Sequence, residues 1–242
     1  MANVQDLRES TFRDFKEALG DATVTALCGR RYVRVSRLIE WMESDAEPSR
    51  MEILLDYAYP NRRTPQPPLG AEDICKGQDS CVLVFAILLE LKHGELIDVF
   101  EKRGLRDNRL PISLAELKEK APSIAEDFNR EQWAFCPANF DYSYSSQYYH
   151  RDRMIPICNK RQINDKGGTA QLWEIVVQEE FVKPRLRERV PKSRFVDDEF
   201  GPVGNYIIFA ATLFQRRICS QLHWLTSVLV LSICFENLSR RS

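Results

Sequence analysis

The sequence predicts an α+β chain in four consecutive parts. These are an all-α helical bundle over residues 4–132, a linker over 133–153, a small β-hairpin module over 154–204 and an apolar helical tail over 205–242. Three observations predict this order. Apolar residues recur at helical spacing through the first half, where three Ser-x-x-Glu boxes mark helix starts. A glycine pair, Gly167-Gly168, separates two β-prone runs. Two apolar runs, 205–214 and 222–235, dominate the end of the chain.

Composition sets the outer bounds. The chain has 242 residues, enough for one large domain or two small ones. Its apolar fraction of 44% is near the globular average, so a packed core is expected and wholesale disorder is not. A formal net charge of -1 lacks the basic bias of a nucleic-acid binder. Seven cysteines occur with no CxxC pair, which points to a reducing compartment, cytosol or nucleus. The opening MANVQDLRESTFRDF has neither a basic nor an apolar leader segment, so no secretory signal is read there.

The helical half is read as about six helices ending near Gln132. Val4, Leu7, Phe12, Phe15, Ala18 and Leu19 share one side of a first helix, which Gly20 is expected to stop. The stretch 21–29 is ambiguous. Val35, Leu38, Ile39 and Met42 form a second amphipathic stripe, with Trp41 beside it. The boxes Ser49/Glu52, Ser113/Glu116 and Ser123/Glu126 can each satisfy helix-start donors reciprocally. They open helices through 53–57, 114–120 and 124–132. Residues 61–70 are proline-rich (Pro65, Pro67, Pro68) and read as loop. The run 80–91, containing VLVFAILLEL, is apolar almost all round and belongs at the centre of a core. After His93-Gly94 a further helix is expected over 95–102.

The linker contains DYSYSSQYYH (141–150), rich in tyrosine and serine and without a period. Beyond it, 154–158 with Ile163 forms one expected strand arm and 170–177 the other. The second arm carries Leu172, Trp173, Ile175, Val176 and Val177. Between them, Asp165-Lys166-Gly167-Gly168 supplies hairpin-turn residues that accept positive φ. The two tail runs are each shorter than the ~20 residues a spanning helix needs, so they are read as core or exposed segments rather than a membrane anchor.

A strand, a glycine turn and a strand resemble the glycine-rich flap that opens a protein-kinase small lobe. The wider text FNREQWAFCPANF (128–140), MIPICNKRQINDKGGTAQLWEIVVQEEF (154–181) and DDEFGP (197–202) resembles fungal protein-kinase-like proteins. So does the leader text ILLDYAYPN (53–61) and LVFAILLELKHGELIDVFEKRGLRDNRLPI (83–112). The resemblance covers roughly residues 10–202 and implies a helical leader followed by the start of a kinase small lobe. On it, Gly167, Gly168, Ala170 and Leu172 would form a degenerate ATP-binding loop. Backbone amides there approach phosphate because no Cβ intervenes.

Departures from that pattern bear on mechanism. With the loop's closing valine set on Leu172, the three glycine positions fall on Asp165, Gly167 and Ala170, and one of them is glycine. The family's third strand carries a phosphate-clamping lysine, whereas this chain reads YIIFAATLFQ and has no lysine after Lys192. His150-Arg151-Asp152 and Asp127-Phe128-Asn129 spell fragments of kinase motifs but precede the glycine turn, the wrong order. No catalytic residue is therefore assigned. ATP and Mg²⁺ are expected only if the chain is part of a longer kinase.

Other chemistry is absent from the text. His93, His150 and His223 lie far apart with no metal spacing, and no metal ligand is assigned. Cys75 and Cys81 read as buried inert thiols. The basic run 183–194 reads as a solvated helix face. The expectation is a non-catalytic interaction or regulatory protein that binds a protein partner through its helical domain. Two alternatives remain open: the front of an active ATP-dependent kinase, and membrane association through the apolar tail.

Overall fold

The structure is a computed structural model. It describes residues 4–44, 49–60, 69–141, 147–148, 150, 152–162, 172–188, 192–193, 206–216 and 228–233. The chain is α+β and divides into two compact units. The first comprises Met1–Val24 and Val33–Cys136, and the second comprises Thr25–Tyr32 and Pro137–Ser242.

In the first unit the helices are α1 (Val4–Ala22), α2 (Val35–Met42), α3 (Arg50–Ala58), α4 (Ala71–Ile74), α5 (Val82–Glu90), α6 (Ile97–Lys102), α7 (Leu114–Lys120) and α8 (Ala125–Phe135). Their apolar faces meet in one cluster centred on α5, where Val82, Val84, Phe85, Ala86, Ile87 and Leu88 have no exposure. Phe15, Leu38, Leu54, Phe100, Leu117 and Phe128 close around it from the other helices. Full burial of each such side chain is worth roughly 1.5–3 kcal/mol, so this cluster dominates the unit's stability. The rings order locally as well: Phe12 stacks on Tyr57 at 4.2 Å, and Phe100 meets Phe128 at 4.9 Å.

Several local expectations are corrected. Gly20 does not stop α1, which runs to Ala22; Gly20 is exposed, so it merely weakens the helix. The ambiguous stretch forms β1 (Thr23–Thr25), which pairs with β2 (Arg31–Val33) across a turn where Gly29 takes φ 80°. Of the three boxes, Ser113 caps as expected, its Oγ accepting from the Glu116 N–H at 3.2 Å. Ser49 caps α3 by position, with no side-chain bond. Ser123 is not a cap, because Ile124 occupies that position. Helix α8 runs past Gln132 to Phe135 and includes the first residues assigned to the linker. The reason is Gln132 itself. It is fully buried, and its amide accepts from Ile112 N–H at 2.7 Å and donates to Ile112 O at 2.9 Å, so it sits within a helix facing a loop.

The second unit holds a six-stranded sheet. Its strands are β3 (Gln147–Tyr148), β4 (Ile157–Gln162), β5 (Leu172–Gln178), β6 (Lys192–Ser193), β7 (Tyr206–Arg216) and β8 (Val228–Ile233). The order is β3-β8-β7-β5-β4, with β6 also pairing β7, and every strand pair is antiparallel. The expected arms do pair, Gln162 opposite Trp173 and Lys160 opposite Ile175. The first arm starts later than expected, at Ile157, because Pro156 cannot donate to a ladder.

The tail is corrected outright. Residues 206–216 and 228–233 are strands, not helices, and β7 lies directly beside β5. Both runs are rich in β-branched and aromatic residues and apolar without a period, a pattern that fits a buried strand as well as a helix. The helix face expected over 183–194 is met in part by a short helix α9 (Pro184–Arg187), on which Pro184 and Arg185 are exposed. Leu186 is fully buried, and Arg187 Nη2 donates to the carbonyls of Glu179 and Val182, each at 3.0 Å.

Candidate functional site

Two places have the chemistry to interest a ligand. The first is the pair of strands on either side of the expected glycine turn. Gly167, Gly168 and Ala170 lie outside the described residues. Leu172 opens β5 and pairs with Thr212 of β7. On β4 and β5, Lys160 Nζ lies 4.6 Å from the centre of the Trp173 ring, and Arg161 pairs with Glu174 at 3.0 Å. These contacts tie β4 to β5 side by side, which is structural work.

The two motif fragments belong to different units. Asp127 pairs with Arg130, and Phe128 is buried against Phe100, both in the first unit. His150 and Asp152 belong to the second unit, where the Asp152 N–H donates to His150 Nδ1 at 3.3 Å.

The second place is a groove of about 440 Å³ in the first unit. Arg8 and Glu9 of α1, Tyr57 and Ala58 of α3, Pro60, Leu89 of α5, and Lys92, Gly94 and Glu95 after α5 line it. The local sequence explains its shape. Helix α5 ends in a Schellman motif: His93 N–H donates to Leu88 O at 2.8 Å and Lys92 N–H to Leu89 O at 3.0 Å. That motif needs a left-handed residue, and Lys92 takes it at φ 61°. Next comes Gly94, where an added Cβ would lie 2.9 Å from Ala58 Cβ and 3.0 Å from a Leu89 methyl. Glycine is therefore required for α3 and the end of α5 to approach. Tyr57 is held from behind by its stack on Phe12.

The groove is rimmed by charges of both signs. Arg8 pairs with Asp56 at 3.3 Å, Glu95 lies 3.4 Å from His93 Nδ1, and Glu9 has contacts of its own. Lys92 is exposed and has no side-chain partner among the described residues. Nearby, burial and then the Asp98 carboxylate push the Tyr59 phenol above its usual range, so it stays neutral.

Asp107 is a half-buried carboxylate, and it is structural. It accepts from Leu83 N–H at 3.1 Å, Val84 N–H at 2.9 Å and Ser80 Oγ–H at 2.8 Å. Burial raises its pKa, and those hydrogen bonds oppose the rise. Cys81 is buried as expected and Cys75 is half-buried, and burial pushes the Cys75 thiol up to about 11 and the Cys81 thiol up to about 12. Cys28, Cys75, Cys81, Cys136 and Cys158 are free thiols. No group of three or more metal-ligating side chains occurs among the described residues, and no described helix is long and apolar enough to cross a membrane.

Sequence reading missed the groove. Lys92 and Gly94 are ordinary residues in the text, and only the helix end at His93-Gly94 marks the place. No family model, no curated protein and no solved structure matches the chain.

Proposed function

We propose that the chain is a non-catalytic interaction or regulatory protein, in which a helical domain binds a protein partner and the following β module is an incomplete kinase-like small lobe. The observation that carries the non-catalytic half is the strand beside β5. In a kinase-like lobe, the strand following the flap strands supplies the amine that holds the nucleotide phosphates. Here β7 reads YIIFAATLFQR and offers no lysine, and Thr212 stands opposite Leu172. What supports the interaction half is the groove of the first unit, which sets apolar residues beside a rim of charged ones. The titratable groups most perturbed by burial serve the fold, as Asp107 does at the head of α5.

The test is a phosphotransfer and binding assay on the full chain with Mg²⁺ and ATP. The expected result is no thermal shift and no transfer to the chain or to a generic acceptor protein. Measurable transfer that Gly167→Asp abolishes would overturn the proposal and favour the kinase alternative.

A further inference from the structure

We infer that Cys158 is an oxidant-sensitive thiol, a site at which a hydroperoxide converts the side chain to a sulfenic acid. The thiol sits where the sheet of the second unit departs from its register. Ile157 stands opposite Val177 and Asn159 opposite Val176, so Cys158 is the extra residue of a bulge in β4. A bulge re-aims the side chain it carries. Here the half-buried Cys158 Sγ lies 3.7 Å from the Tyr32 hydroxyl.

A buried amide behind the phenol supplies the second observation. Tyr32 has no exposure, and its ring stands edge-on to Phe181 at 5.4 Å. Its hydroxyl donates to Gln178 Oε1 at 3.2 Å. Gln178 is 1% exposed, and its Nε2 has no hydrogen-bond partner among the described residues. A buried donor without a partner is costly. Loss of the Cys158 proton relieves that cost. The Tyr32 O–H turns to the thiolate, and the Gln178 amide turns half a revolution so that its N–H donates to the phenol oxygen. The atom then left over is a carbonyl oxygen, which burial tolerates better than an N–H. The three side chains together favour the thiolate, which is the nucleophilic form of cysteine. The thiolate attacks one oxygen of the peroxide; the S–O bond forms, the O–O bond breaks, and the departing hydroxide takes up a proton. Sulfur is oxidised to the sulfenic acid and hydrogen peroxide is reduced to water. Cys28 is the internal reference: it is exposed, and its thiol meets the Met154 thioether at 3.8 Å, a group with no proton to give.

The experiment treats the full chain with hydrogen peroxide and dimedone, which traps sulfenic acids, and follows each cysteine-containing peptide by mass spectrometry. Cys158 is expected to be trapped at least as fast as Cys28, although it is the less exposed of the two. In Tyr32→Phe the ratio of the Cys158 rate to the Cys28 rate should fall roughly three- to tenfold, and in Gln178→Met about two- to threefold. The direction separates this role from a structural one, because a variant that merely loosens the unit uncovers the half-buried thiol and raises the ratio. A wild-type Cys158 rate below that of Cys28 would overturn the inference, as would a ratio that stays level or rises in Tyr32→Phe.

Discussion

Asp107→Ala tests whether the most buried helix of the chain is capped from a distance. Helix α5 starts at Val82 with Cys81 at its N-cap, whose side chain makes no bond to the open N–H groups of the first turn. Asp107 does that work. Its carboxylate takes the N–H of Leu83 and of Val84, the two donors an ordinary N-cap side chain would choose from, and Ser80 Oγ accepts from Val82 N–H at 3.2 Å. An exposed cap is worth about 0.5–2 kcal/mol. Here the donors sit against a core in which Val82 and Val84 have no exposure, so each unpaired N–H costs about 1–3 kcal/mol. Removing a desolvated carboxylate returns part of this, on the order of 1 kcal/mol. Asp107 is half-buried, so each donor falls in the lower half of that range, about 1.5–2 kcal/mol, and the net expectation is a loss of about 2–3 kcal/mol.

Because the chain has two units, a single global unfolding free energy is a poor readout, and amide hydrogen exchange at Leu83 and Val84 is the better assay. A loss of that size speeds exchange there by roughly 30- to 150-fold. Asp107→Asn keeps one carbonyl acceptor and should show a smaller effect, about tenfold. Exchange in Asp107→Ala within about threefold of wild type would refute the reasoning, because α5 would then be held by packing alone.

Gly94→Ala should destabilise the first unit by about 1–3 kcal/mol, read as a lower urea midpoint, since its methyl group meets Ala58 and Leu89 at 2.9–3.0 Å. An unchanged midpoint would mean that the helices part freely there. Tyr32→Phe should cost the second unit about 1–2 kcal/mol, because the buried Tyr32 hydroxyl donates to Gln178 Oε1 at 3.2 Å and the Gln178 side chain has no other partner among the described residues. Faster exchange at Val177 and Gln178 would report it. Glu116 titrates below the usual carboxylate range because of its hydrogen bond to Lys120 and the nearby Arg109. A depressed folded pKa stabilises above the unfolded value of about 4.3 and is lost as pH falls through the lower folded value. Glu116→Gln should therefore lower stability by about 0.3–1 kcal/mol at pH 7, with the difference vanishing under acid. A difference that persists at low pH would assign the effect to packing.

Legibility of the fold followed the range of each interaction. The centre of the core was readable because VLVFAILLE has no polar face to offer solvent. Ser113 worked as a cap because donor and acceptor lie three residues apart. Ser123 failed because Ile124, already buried, takes the cap position one residue later and leaves the serine outside. Distant partners are invisible to such reasoning: nothing in the text near residue 82 announces an acceptor at position 107. The same holds for Gln132, whose amide serves the backbone of Ile112 twenty residues earlier.

The tail shows the complementary failure, in which the local signal exists but is degenerate. An apolar run without alternation, such as YIIFAATLF, satisfies a buried helix and a strand flanked by neighbours equally well, and only pairing decides. The neighbour decides here. Strand β5 needs a partner on the side away from β4, and β7 fills it residue for residue from Leu172 with Thr212 to Gln178 with Tyr206. A lone two-stranded hairpin is marginal in water, so the β4–β5 pair gains its stability from the segment that looked least like part of it. The groove in the first unit follows the same logic. Its chemistry arises from residues 8, 57, 89 and 92, which no spacing rule connects, and from one glycine whose lack of a side chain lets them converge.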